Sequence, residues 1–180
     1  GAESATAFWE RWEAMVMPAA PGPVTFQVRR SKGFEGMAAS TDGKFLYPLL
    51  EGPLVAADGK PESKEGTAYL RILEFDVTAG AYTGKSWKYA LEAPTNAIGD
   101  FNLIDAQSGL IIERDDTEGD PALACAAGAI KPDCFNVPAR FKRIYKVDFG
   151  QADGDGFVKK VGYIDLMDID DPNKLARQGG

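Results

Sequence analysis

Two stretches of this sequence repeat each other, and the repeat limits the fold more than any other feature. Gly36–Ser40, a turn and Lys44–Glu51 correspond to Phe101–Asp105, a turn and Gly109–Glu113. Each half then runs through a longer loop into a matching segment, Leu70–Val77 in the first and Lys142–Phe149 in the second. Each ends on a turn and a fourth segment, Tyr82–Leu91 and Phe157–Leu166. The offset is 62 from Glu51 to Glu113 but 72 from Asp76 to Asp148, so the second half carries an insertion. That insertion lies in the loop holding Cys125 and Cys134.

The segments read as strands joined by turn chemistry. Strands are expected at Val24–Arg30, Gly36–Ser40, Lys44–Leu50, Tyr69–Val77 and Tyr82–Leu91. The second half adds Phe101–Asp105, Gly109–Arg114, Phe141–Phe149 and Phe157–Leu166. Asp42-Gly43 suits a hairpin turn because glycine tolerates positive φ. The only helical pattern spans residues 3–17, where Phe8, Trp12, Met15 and Val16 recur at three- and four-residue spacing. Ser4 is placed to cap it and Pro18 to stop it. The expected fold is all-β: about two four-stranded antiparallel blades of a β-propeller with one short N-terminal helix.

Residues 1–22 read as helix and linker, and 23–172 as the propeller portion, with repeats over 33–91 and 97–166. Residues 173–180 read as a tail continuing into further blades. Propellers close with roughly four to eight blades. Two blades alone expose sheet edges and apolar faces, so the remainder of the propeller or a partner chain is expected to close the ring. A small two-sheet β-sandwich is the alternative.

Composition narrows the chemistry. The chain has no histidine, which removes the Ser-His-Asp triad, the Cys-His dyad and the usual His-containing zinc and iron sites. Two cysteines are too few for an all-thiolate zinc site. Carboxylates, Lys/Arg, hydroxyls or a hard metal held by oxygens remain. A net charge of −7 without a basic face argues against nucleic acid. No apolar run reaches the roughly 18 residues of a membrane span. Gly1–Ala5 lacks a basic-then-apolar leader, so any export signal is expected to have been removed. Cys125 and Cys134 bracket a short Gly- and Pro-containing loop that can close as a disulfide, the alternative being two unrelated thiols. A disulfide implies a periplasmic or extracellular location. The acidic run Gln151–Gly156 lacks the closing Glu and flanking helices of an EF-hand and reads as a hairpin turn.

Several words in register carry a family resemblance: Gly33–Ala38, Leu49–Leu54, Leu73–Asp76, Ala97–Phe101, Ile111–Asp115, Phe141–Tyr145 and Asp165–Ile169. In this order they resemble the phytase-like family, the "esterase-like activity of phytase" proteins, over residues 29 to about 172. The resemblance implies an exported bacterial β-propeller longer than this chain, of which this is the N-terminal part. It also implies an activity related to those of phytases and phosphoesterases.

Four acids occupy positions that read as equivalent in the two repeats. Glu35 and Asp100 precede the first strands, and Glu51 and Glu113 end the second strands. Successive blades are related by rotation, so these acids should converge at the channel mouth, where they would repel one another without a cation. Ca²⁺ fits best, being hard, oxygen-seeking and independent of histidine. Glu35, Glu51, Asp100 and Glu113 are therefore the expected metal ligands. Ca²⁺ there could clamp a phosphate and polarise a water, with Arg114 gripping a phosphate oxygen. Glu35, Glu51, Glu113 and Arg114 are the expected catalytic set, acting on a small phosphorylated substrate. The plainer reading makes the acids partners of loop amides or cations, and Arg114 a partner of Asp115, Asp116 or Glu118. Two functions stay open: a calcium-dependent hydrolase of phosphate esters, or a non-catalytic propeller that binds a ligand or partner and holds only structural calcium.

Overall fold

Turn chemistry sets the hairpins of the first sheet. Strand β1 (Phe34–Ala39) turns into β2 (Phe45–Leu50) through Asp42, whose carboxylate accepts from the Ser40 hydroxyl at 2.7 Å and the Lys44 amide at 3.1 Å. Gly43 follows at φ 70°, the left-handed conformation the turn requires. Strand β3 (Ser63–Lys64) is a short edge piece on β4 (Thr67–Asp76). Asp76 accepts from the amides of Thr78 and Ala79 and launches the turn to β5 (Ala81–Ala90).

The second sheet repeats the device. Asp105 accepts from the amides of Gln107 and Ser108 between β6 (Ala97–Leu103) and β7 (Ser108–Arg114). After a long loop containing a short 3₁₀ turn at Pro121–Leu123, β8 (Lys142–Asp148) pairs with β9 (Lys159–Asp165). Asp153 shapes that last hairpin by accepting from the amides of Asp155 and Phe157.

The computed structural model describes residues 27–56, 58–127 and 132–170. The expected N-terminal helix and the tail beyond Asp170 lie outside these residues, as do Val24 to Phe26. The fold is all-β. One antiparallel sheet runs β1-β2-β4, with β4 paired to both β3 and β5; the other runs β6-β7-β8-β9. They are the two expected blades. Most strand ends fall within two residues of expectation, and three differences are larger or change the pairing. Residues 27–30 are not strand. β6 starts four residues early because Ala97 and Ile98 pair with Arg114 and Glu113. β9 starts at Lys159, while Phe157 makes an isolated bridge to Lys88 of the other sheet.

Strand register fixes which positions are truly equivalent. Phe45 pairs with Asp76 as Ser108 pairs with Asp148, and Leu49 pairs with Ile72 as Ile112 pairs with Ile144. Both first hairpins carry a bulge at the same place, between Phe34 and Gly36 and between Ile98 and Asp100. Leu50 therefore corresponds to Glu113, Glu51 to Arg114, Gly36 to Asp100 and Glu35 to Gly99. The alignment read from sequence is one residue out at each acid, and a one-residue slip exchanges the two faces of a strand.

The sheets stack face to face. Leu49, Leu70, Ile72 and Tyr89 of the first meet Ile98, Phe101, Ile111, Tyr145 and Val147 of the second in one buried cluster. Edge-on aromatic contacts cross between the sheets, Tyr89 to Tyr145 at 6.4 Å and Trp87 to Phe149 at 5.3 Å. The innermost strands β1 and β6 touch, and Gly36 permits it: a Cβ there would lie 2.7 Å from the Phe101 backbone nitrogen. The outward faces keep exposed apolar side chains, Phe34 and Met37 on the first sheet and Ile164 on the second.

Candidate functional site

The N-terminal ends of β1 and β6 and the C-terminal ends of β2 and β7 lie at one end of the stack. This end holds all five candidate residues. Glu113, fully buried, is its hub. One carboxylate oxygen accepts from the Glu92 amide and the Asn96 side chain, each at 2.8 Å. The other accepts from the Tyr89 hydroxyl at 2.8 Å and the Lys160 ammonium at 3.0 Å. Four donors fill the lone-pair positions of a carboxylate, so the burial cost of this charge is met by protein groups.

The cation of the hub is partly buried. Lys160 also pairs with Glu92 at 2.8 Å and lies over the rings of Tyr89 and Tyr145, 4.5 and 4.0 Å from their centroids. Burial and the Glu113 charge push the Tyr89 phenol well above its ordinary value. The Lys160 hydrogen bond holds Glu92 below the usual carboxylate range. Neighbouring Arg143 bonds Asp165 at 2.9 Å and stacks on Tyr163 at 4.3 Å.

Glu51, nearly buried, faces two cations: Lys32 at 3.1 Å and Arg114 at 3.4 Å. Arg114 also bonds Asp116 at 2.7 Å. Of the three partners expected on the plainer reading, Arg114 thus takes the Asp116 carboxylate and, weakly, the Asp115 carbonyl. The Asp115 carboxylate holds the long loop instead. It accepts from Lys142, Thr117 and the amides of Arg140 and Phe141. Burial works to raise its pKa, but these donors outweigh it and hold the group at about 2.

Glu35 and Asp100 are exposed. The two bulges lie back to back, because the Cβ that Gly36 lacks would sit 3.0 Å from the Asp100 carbonyl carbon. Asp100 accepts from the Phe101 amide and the Asn102 side chain. The structure thus brings the bulge that carries Glu35 against the bulge of Asp100 and sets Glu51 beside Arg114, and it gives Glu113 partners of its own. Among the described residues, no three acidic, His or Cys side chains are grouped closely enough to share a metal ion.

Beside Glu51 opens a cavity of about 280 Å³, lined by Arg29, Lys32, Thr95, Asn96 and Asp116 with Gly52, Pro53 and Pro94. Two cations and two neutral hydrogen-bonding side chains share the hollow with one carboxylate, Asp116, which Arg114 already pairs, so the remaining cationic excess suits an anion. Sequence reasoning missed Lys32, Asn96 and Lys160. The adjacent lysines 159 and 160 on one strand were the available signal, since alternation turns one of them inward.

Cys125 and Cys134 form a disulfide in the loop before β8, with Cα atoms 4.9 Å apart. Among the described residues no helix is long and apolar enough to cross a membrane.

Neither the curated proteins nor the solved structures contain a match to this chain. A family model does match, described as "Phytase-like: Esterase-like activity of phytase", over residues 10–178. With nearly the whole chain inside that match and two propeller-type sheets built from its repeat, the chain belongs to the phytase-like family.

Proposed function

We propose that this exported phytase-like propeller binds a small phosphate ester at the charged end of its inner strands and hydrolyses it with the help of Ca²⁺. The observation that carries the reading is the cavity in which Arg29 and Lys32 face Thr95 and Asn96 beside the Glu51–Arg114 pair. Glu51 holds Lys32, one of the two cations that line the cavity, so that charge is pre-positioned without the entropy of ordering it on binding. Calcium enters on the chemistry of the donors: Glu35 and Asp100 are exposed oxygens at back-to-back bulges in a chain without histidine. A hard cation suits such oxygens and, when bound, supplies an acidified water and a clamp on phosphate. The disulfide supports a periplasmic or extracellular location. The apolar outer faces support closure of the ring by further blades or a partner chain.

A second reading is favoured by one observation. Glu113 is saturated by four protein donors and offers nothing to a substrate. On that reading the propeller binds its ligand without turning it over, and calcium is structural. Phosphate release from a chromogenic phosphate ester, with calcium and with chelator, separates the two. The hydrolase reading expects calcium-dependent release that Lys32→Ala and a Glu35→Gln, Asp100→Asn double variant both lower at least tenfold. Ester binding without release would leave the second reading. Chelation that lowers only the melting temperature would make the metal structural.

A further inference from the structure

Towards the opposite end of the sheet stack lies a second cavity, of about 220 Å³, lined by Tyr47, Glu74, Trp87 and Phe149, with Lys85 and Leu103 among its other walls. Its walls come from both sheets: β2, β4 and β5 on one side, and the ends of β6 and β8 on the other. The rings stand at steep angles to one another. Tyr47 and Trp87 are 6.0 Å apart at 63°, and Trp87 and Phe149 are 5.3 Å apart at 85°. They make a corner of aromatic surface, not a flat stack. In that corner sits the carboxylate of Glu74, whose residue is only 5% exposed. It accepts from the Thr83 hydroxyl at 2.9 Å. Its only ionic partner among the described residues is Lys85, at 3.5 Å on a side chain 69% exposed.

A buried carboxylate is costly unless a cation answers it. Glu113 solves that problem with a partly buried lysine, whereas Glu74 has a solvent-borne one at long range. Aromatic faces next to such a charge attract a weakly hydrated organic cation by the ring quadrupole. A cavity below the roughly 300 Å³ of ordinary ligand sites takes a head group and not a large molecule. We propose that this cavity binds an alkylated ammonium group of the trimethylammonium type. Glu74 is its counter-ion, Tyr47, Trp87 and Phe149 are its cage, and Lys85 is the internal cation it displaces. Burial and the Glu74 charge both raise the Tyr47 phenol above its ordinary value, which keeps that ring neutral beside the carboxylate. The site is independent of the phosphate cavity, so either proposal can fail without the other.

Calorimetric titration with choline and tetramethylammonium, against 3,3-dimethylbutanol as the neutral isostere of choline, tests it. Both cations should bind, and the neutral alcohol should bind at least roughly tenfold more weakly, the difference a cage of this kind supplies. Glu74→Gln should weaken choline by about tenfold, and Lys85→Met, at an exposed position, should strengthen it. Thermal unfolding of each variant, run alongside, shows whether it is folded. If Glu74→Gln unfolds, the Lys85→Met result and the isostere comparison still decide. Equal binding of choline and the alcohol, or no binding of either cation to both wild type and Lys85→Met, overturns the proposal.

Discussion

Replacing Glu113 by Gln keeps the shape of the side chain and removes one charge, and the structure fixes what that does. The amide oxygen can still accept from the Glu92 amide and the Asn96 side chain. The amide nitrogen then faces Tyr89 and Lys160. The phenol can rotate and accept, since a hydroxyl works both ways. The ammonium cannot, so Lys160 loses its bond to this position and keeps only Glu92 and the two rings. Loss of one charge-assisted bond costs about 2 kcal/mol. Glu113→Ala is harsher: the Tyr89 hydroxyl, the Asn96 amide and the Glu92 amide all lose their acceptor, at about 4–5 kcal/mol in sum. Against a typical total of about 5–15 kcal/mol, the alanine variant should be close to unfolded.

Urea unfolding followed by tryptophan fluorescence reads these values. With a slope of about 2 kcal/mol per molar, Gln should lower the midpoint by about 1 M at unchanged slope. Lys160→Met should cost clearly less in the Glu113→Gln background than in wild type, because the interaction it removes is already gone. A Glu113→Gln midpoint equal to wild type would refute the hub, as would additive costs for Glu113 and Lys160. Either result would return Glu113 to the pool of candidate reacting groups, where removing a strained charge often stabilises.

Three further outcomes are expected. Gly36→Ala should destabilise by about 2 kcal/mol or more, since the new Cβ meets backbone and Cβ of Phe101 at 2.7 and 2.8 Å; thermal melting checks it. Asp115 is held at about 2 against an ordinary 3.8, so its stabilising contribution is complete above about pH 4 and is lost as pH falls towards 2. Asp115→Asn should flatten the acid side of the stability–pH curve in that window, and a curve identical to wild type would contradict the loop anchor. Reducing the Cys125–Cys134 bridge, which closes a loop with a sequence separation of 9, should cost at most about 2.5 kcal/mol, read as a lower melting temperature in reductant.

The fold was legible because two kinds of signal agreed at each hairpin. Asp42-Gly43, Asp76 and Asp105 mark turns by local hydrogen bonding, and the apolar runs between them alternate. The strand ends were less so. Nothing in the sequence around Ala97 announces that β6 begins there, because that end is fixed by pairing with Arg114 and Glu113. The charged end of the sheets was half legible. Acid positions could be seen, but their partners Lys32, Asn96 and Lys160 come from segments 19, 17 and 47 residues away. The equivalence of the acids also failed by one position. Both hairpins carry the same bulge, so the mismatch lies in the turns: residues 40–44 join β1 to β2 and only 104–107 join β6 to β7, a one-residue difference in length that turn composition does not reveal.

The corrected register explains why the repeat is inexact at its charged end. Glu51 and Arg114 are equivalent positions on neighbouring sheets, yet they face each other at 3.4 Å. Rotation brings such positions together, so two identical blades would place like charges there and repel. Opposite signs turn the clash into an ion pair, with Lys32 and Asp116 balancing the outer sides. A charge reversal tests this. Arg114→Glu sets a new carboxylate beside Glu51 and Asp116 and should cost about 2 kcal/mol or more, while Glu51→Arg alone sets a second guanidinium between Lys32 and Arg114. The double reversal restores one pair at the centre but leaves the introduced guanidinium next to Lys32 and the introduced carboxylate next to Asp116. It should therefore recover part of the loss, with a coupling of about 1–2 kcal/mol that shrinks in high salt. Strictly additive costs would mean the two positions do not sense each other, and the sign difference between the repeats would then need another cause.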